Sequence, residues 1–349
     1  MLNYSNATLS IISAHTIGNK TNGEDLIVSR NALEIEDDEL RERMMTYFLS
    51  SFTSSEFYHF TSTDGDFQLN PLFQLASDIF DSTKNFHTKS VSIAKHLYEV
   101  SLHPQIKSGD LFVVLFNNVQ IGGEETAVLG IFKSESKSSV LKVTSKKDGN
   151  FSVDLASGIN LEKLDKACLI YNLDQDQGFR LSIIDRSSKS SEAQYWKDLF
   201  LRVIAVNNEF QSTKNVLDVA RHFVIDQIVD EFEVSKADQI TYLNKSINYF
   251  KNHDEYNKKE FEQEVFEDQE LIKSFRKFDN SFRKQFDIES EDNFEISAEV
   301  VKKQSRVFKS VLKLDKNFHI YIHGDRELIE RGVEKDGRKF YKIYYTSEQ

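Results

Sequence analysis

The sequence predicts an α+β protein in which a strand-rich N-terminal domain is followed by a helical region closed by a small C-terminal antiparallel sheet. Three observations predict it. Short apolar runs rich in β-branched and aromatic residues, separated by Gly, Asn and Asp turns, crowd residues 110–185 at hairpin spacing rather than in strand–helix alternation. Apolar residues at helical spacing dominate 192–286. Alternation at period two returns across 306–345. The length, 349 residues, suits two domains. The polar, Ser-rich stretch 186–192 divides them, giving 1–190 as an α+β domain with an antiparallel meander and 191–349 as a helical subdomain with a basic sheet.

The elements follow in order. Residues 7–17 and 24–28 read as strands around the turn Asn22-Gly23. Asp37-Asp38-Glu39 opens a helix with Leu40, Met44, Tyr47 and Phe48 at helical spacing. Leu72, Leu75, Ala76, Ile79 and Phe80 predict a helix over 71–81, and a third runs from 88 towards Pro104. The run Asp110–Phe116 suits a strand buried on both faces, and Gly122-Gly123 turns it into a partner at 126–132. Segments 139–144, 150–155, 167–173 and 179–185 continue the meander. Helices are expected at 192–201, at 214–232 and after Ser235, where Ser235 and Asp238 stand at capping-box spacing. Phe275, Phe278, Phe282 and Phe286 form a further helical stripe. Strands at 306–314 and 317–323, a short helical piece at 325–331, and a hairpin turn at Asp336-Gly337 leading into 338–345 complete the chain.

Composition narrows the function classes. Hydrophobic residues make up 39% of the chain and include 28 Phe, enough for a packed core. A single cysteine excludes a disulfide framework and a cysteine-based zinc cage. Cys168, in the apolar run Ala167–Ile170, is expected to be a buried small hydrophobe. The N-terminus has neither the basic nor the apolar region of a signal peptide, and no apolar run approaches the about 20 residues that span a bilayer. A cytoplasmic protein without a membrane partner is the expectation.

The charge is uneven. The chain carries 44 basic and 56 acidic residues, a net −12. Yet 302–345 holds 12 basic against six acidic residues, net +6, whereas 254–270 holds eight acidic against two basic, net −6. Strand alternation places Lys309 and Lys313, then His319, Tyr321 and His323, opposite the apolar positions Phe308, Leu312, Leu314, Phe318 and Ile320. Cations beside exposed aromatics suit a nucleic acid, since cations meet phosphate and rings stack on unpaired bases. The candidate nucleic-acid-binding residues are Lys302, Lys303, Arg306, Lys309, Lys313, Arg338, Lys339 and Lys342.

Nothing comparable points to catalysis. No glycine-rich phosphate loop and no nucleophile elbow is present. His319 and His323, four residues apart on a strand, are about 13 Å apart, too far for one metal. Asp174, Asp176 and Gly178 lack the remaining ligands of a calcium loop and read as a turn. No catalytic residue, no metal and no cofactor is expected.

The order of blocks carries a resemblance. Residues 110–135 (DLFVVLFNNVQIGGEETAVLGIFKSE), FRLSIIDRSSKSSEAQYWKDLFL, VLDVARHFV, KADQITYLNKSINYFKN and the closing SVLKLDKNFHIYIHGDRELIERGV follow one another across nearly the whole chain. This layout resembles the bacterial nucleoid-associated protein family of large cytoplasmic, chromosome-associated proteins. The resemblance implies DNA as a partner and a place in the nucleoid, and it carries no catalytic residues. The expected function is therefore non-enzymatic, largely electrostatic binding of DNA through the basic C-terminal surface. The alternative is a protein-interaction adaptor that reaches the nucleoid through a DNA-bound enzyme, docking through its acidic surface.

Overall fold

The computed structural model describes residues 2–146, 149–186, 195–286, 288, 291–305, 307–308, 311–314, 318–321 and 328–347. The class is the expected α+β. The chain forms two compact units, Met1–Val206 and Asn207–Gln349. Most of the Ser-rich stretch lies outside the described residues. Helix α4 (Tyr195–Leu201), wound as a π-helix, belongs with the first unit because it buries Trp196, Phe200 and Leu201 in that unit's core. The unit boundary therefore comes later than residue 190.

The N-terminal unit is built on one antiparallel sheet. Its strands are β1 (Leu2–Asn3), β2 (Thr8–Ile17), β3 (Ile27–Val28), β4 (Tyr58–Phe60), β5 (Gly109–Ile121), β6 (Glu124–Ser134), β9 (Lys166–Tyr171), β10 (Arg180–Asp185) and β11 (Val203–Ala205). They lie in the order β11-β4-β10-β9-β6-β5-β2-β3, with β1 beside the end of β5. Gly122 and Gly123 form the two-residue turn between β5 and β6, at φ 61° and 90°. A left-handed backbone at both turn positions is what a type I′ hairpin needs and what glycine adopts without strain.

Period-two alternation sorts β5 between two cores. Leu111, Val113 and Leu115 pack with helices α2 (Pro71–Asp81) and α3 (Phe86–Val100). Val114 and Phe116 pack on the other face with Tyr47, Phe48 and Leu49 of α1 (Asp38–Leu49). The continuous apolar run of β5 is thus explained by a sheet covered by helices on both sides. Helix α2 occupies the predicted residues because Asn70 caps Leu72 and Phe73 through its side chain and Pro71 opens the first turn. Cys168 is fully buried in the first core, and burial pushes its thiol pKa up.

The meander is interrupted. Strands β7 (Lys137–Ser145) and β8 (Phe151–Ile159) do not join the large sheet; they pair with each other over nine residue pairs. Leu141, Val143, Phe151, Val153 and Leu155 share one face of this ribbon by register, and all five are exposed.

The C-terminal unit is mainly helical. Helix α5 (Glu209–His222) runs through a π-turn (Phe223–Gln227) into α6 (Ile228–Glu231). Helix α7 (Lys236–Asn252) begins with the expected capping box between Ser235 and Asp238. The short strand β12 (Glu255–Asn257), helices α8 (Lys258–Phe266) and α9 (Gln269–Gln285), strand β13 (Asn293–Glu295) and helix α10 (Ala298–Gln304) follow. Phe275 is buried and Phe278 and Phe282 are partly so, but Phe286 at the end of α9 is exposed.

The chain closes with two hairpins, β14 (Val311–Leu314) with β15 (Phe318–Tyr321) and β16 (Ile329–Val333) with β17 (Lys339–Ile343). Leu314, Ile320, Ile329 and Tyr341 pack around Ile240 of α7. Two expectations change here. Phe308 is not a strand residue; it is buried in the helical core. The helical piece at 325–331 is not formed by its last three residues, which belong to β16, because Arg331 pairs with Tyr341 across the Asp336-Gly337 turn. Residues 322–327 lie outside the described part.

Candidate nucleic-acid interface

Of the eight candidate cations, Arg306 and Lys309 lie outside the described residues, and only the backbone of Lys313 is described, in register with His319. Lys302 and Lys303 sit side by side on α10, whose Val300 and Val301 face the core, so the helix exposes its cations. The Lys303 ammonium bonds Glu299 one turn earlier at 2.6 Å and lies 5.3 Å from the centre of the Phe210 ring. Arg338 reaches back across its turn to Asp336 at 2.7 Å, and this hydrogen bonding, from the Arg338 backbone first, lowers the Asp336 pKa. Lys342 stands 3.7 Å from Glu330 and over the Tyr344 ring; Tyr344 first and Glu330 second raise its pKa.

Strand parity separates the hairpin cations. Lys339 shares a face with Tyr341 and Ile343, whereas Lys342 shares the other with Phe340. Lys302 and Lys339 are exposed and make no ion pair among the described residues. The three paired cations are solvent-facing, where water screens such bridges, so phosphate can compete for them.

The basic stretch 273–284 divides by depth. Arg276 donates from Nε and Nη2 to one oxygen of the buried Glu262, at 2.9 and 2.6 Å. Arg283 and Lys258 both bond the buried Asp279, at 2.5 and 2.8 Å. These acids hold α8 and α9 together and consume the charge. Lys277 and Lys284 remain exposed on the outer side of α9. The acidic stretch is similarly engaged: Glu267 bonds Lys245, and Glu270 bonds Lys273.

One cluster has almost no signature in the sequence. His253, where α7 ends, comes within reach of Glu260 and Glu264, which stand one turn apart on α8. The only local signal is the Glu pair at i, i+4; the histidine arrives through the chain reversal at β12.

Fold and surface together define a two-unit α+β protein with an acidic composition and a cationic C-terminal helix and hairpin. The family described as nucleoid-associated protein YejK matches residues 13–340, and the chain belongs to that family. No curated protein matches it individually. Among the described residues no helix is long and apolar enough to cross a membrane.

Proposed function

We propose that the chain is a non-enzymatic nucleoid-associated protein that binds DNA largely by charge, through Lys302, Lys303, Arg306, Lys309, Lys313, Arg338, Lys339 and Lys342. The observation that carries this reading is the net +6 of 302–345 inside a chain of net −12, in a member of a nucleoid-associated family. The exposure of Lys302 and Lys339, and the weakness of solvent-facing ion pairs at Lys303, Arg338 and Lys342, support it. The acidic remainder opposes indiscriminate coating of the polyanion by like-charge repulsion.

The test is duplex-DNA affinity as a function of salt for the parent and for the triple variant Lys302→Glu, Lys339→Glu, Lys342→Glu. All three side chains are exposed, so thermal stability should change little. The variant should bind more weakly, and the slope of log affinity against log salt should shrink by about 0.9 for each phosphate that is no longer neutralised. Unchanged affinity and slope would exclude this surface. Association with chromosomal DNA that needs a second protein, with no salt-dependent binding by the purified chain, would favour the adaptor.

A further inference from the structure

We propose that His253, Glu260 and Glu264 form a binding site for one first-row divalent cation of the Zn2+ or Mn2+ type. Their ligand atoms, one imidazole nitrogen and two carboxylate oxygens, lie within 4.8 Å of one another. His253 Nε2 is 3.4 Å from Glu264 Oε1 and 3.9 Å from Glu260 Oε1. Tetrahedral bonds of about 2.0–2.1 Å place neighbouring ligand atoms about 3.3 Å apart. The histidine–Glu264 edge already has that length, and rotation of the half-exposed Glu260 side chain shortens the other two, which lie within 4.8 Å.

The histidine is set up independently of the carboxylates. Its Nδ1 lies 2.9 Å from the Tyr249 carbonyl oxygen. A carbonyl can only accept, so Nδ1 carries the proton and the lone pair of the neutral ring is on Nε2, the nitrogen that faces both acids. A metal-binding histidine fixed through its other nitrogen by a backbone carbonyl has this arrangement. The ring is also stacked on Tyr249, with centroids 4.2 Å apart and planes 19° apart, which limits its rotation. Tyr249 itself is buried, which holds the stacked pair in place.

Charge makes the same demand. Two carboxylates one helical turn apart repel each other and weaken the helix unless a cation lies between them. No lysine or arginine among the described residues forms an ion pair with Glu260 or Glu264; His253 faces both, and the neutral Tyr249 hydroxyl donates to Glu260 Oε2 at 3.4 Å. The donor set decides the class of ion. An imidazole nitrogen with two carboxylates suits zinc, manganese or iron(II) better than magnesium or calcium, which prefer all-oxygen shells. Three protein ligands leave at least one position open to water, and the exposure of both glutamates places it towards solvent.

The experiment is calorimetric titration of the full, chelator-treated chain with Zn2+ alone and, separately, with Mn2+ alone. The expected result is saturable binding of one ion per chain to at least one of them, weakened at least tenfold by Glu264→Gln and by His253→Gln. Glu255→Gln, an exposed acid on β12, should leave the affinity unchanged. Unfolding of each metal-free variant checks that the loss is not loss of fold. Absence of saturable binding, or an affinity that survives Glu264→Gln or His253→Gln in a folded protein, would overturn the site and leave His253 as an ion-pair partner only.

Discussion

Replacing Asp279 with alanine is expected to destabilise the C-terminal unit by about 3–5 kcal/mol, the usual cost of removing one partner from a buried ion pair. Asp279 is 2% exposed and receives Lys258 and Arg283 on different oxygens. Removing the carboxylate leaves two cations with little water to compensate them; the Arg283 side chain is only 9% exposed. The measurement is urea unfolding followed by circular dichroism at 222 nm, to which helices of both units contribute. Trp196, the single tryptophan, reports the N-terminal unit separately by fluorescence. With a slope of about 1–3 kcal/mol/M, the dichroism transition should move by at least about 1 M. Replacing all three side chains together by Met, Leu and Met should recover much of the loss, since the desolvation of the charges disappears with them. A single-variant loss below about 1 kcal/mol would show that the pair is hydrated in solution.

The second large effect is acid sensitivity of the N-terminal unit through His15. This ring is 4% exposed between β2 and α3. Its Nδ1 accepts the Ser29 backbone N–H at 3.3 Å, so Nε2 carries the proton and donates to Ser90 Oγ at 3.0 Å. Ser90 donates in turn to the His87 carbonyl at 2.7 Å. Burial first, and the neighbouring His87 second, hold the His15 pKa down at about 4, against 6.5 in the unfolded chain. A folded-state value below the unfolded one stabilises the fold above pH 6.5, and that contribution is lost as pH falls from 6.5 towards 4. The full shift corresponds to about 3 kcal/mol. Unfolding followed by Trp196 fluorescence at pH 7.5 and 4.5 should show a decline about 2–3 kcal/mol steeper in the parent than in His15→Gln. Equal declines would place the acid sensitivity elsewhere.

Much of this fold was legible because its signals are local. Asn70-Pro71 with its apolar stripe defines α2, Ser235 with Asp238 starts α7, and Gly122-Gly123 turns β5 into β6. What escaped depends on distant partners. β4 and β11 are three residues each and exist because they pair with each other; β12 and β13 do the same from opposite ends of α8 and α9. Runs so short hold less than one helical turn and only one and a half strand periods, so the pattern cannot assign them. β7 and β8 read as sheet strands, correctly, but which sheet they join is not written in their alternation. The candidate interface was legible as charge and not as geometry. Parity alone already sets Lys339 and Lys342 on opposite faces, whereas the burial of Asp279 and Glu262, which neutralises Arg283 and Arg276, needed the packing of α8 on α9.

The order of strands in the large sheet bears on how the chain is made. Its centre is assembled from sequence neighbours, β5 with β6 and β9 with β10. Strand β2 is different: Thr16 bonds Asp110 of β5, 94 positions later. At about 5–20 residues per second, a ribosome completes β2 roughly 5–20 s before its partner exists. During that interval Leu9, Ile11, Ile12 and Ile17 lack β5, and the two-residue β3 pairs only with His15 and Thr16, so an apolar segment is left of the kind that chaperones bind and that aggregates when they do not. Nascent chains stalled before residue 109 should therefore be cut by protease within residues 8–17. Chains extended far enough to release β5 and β6 from the ribosomal tunnel should be protected there, so the yield of folded protein depends on what shelters β2 during elongation.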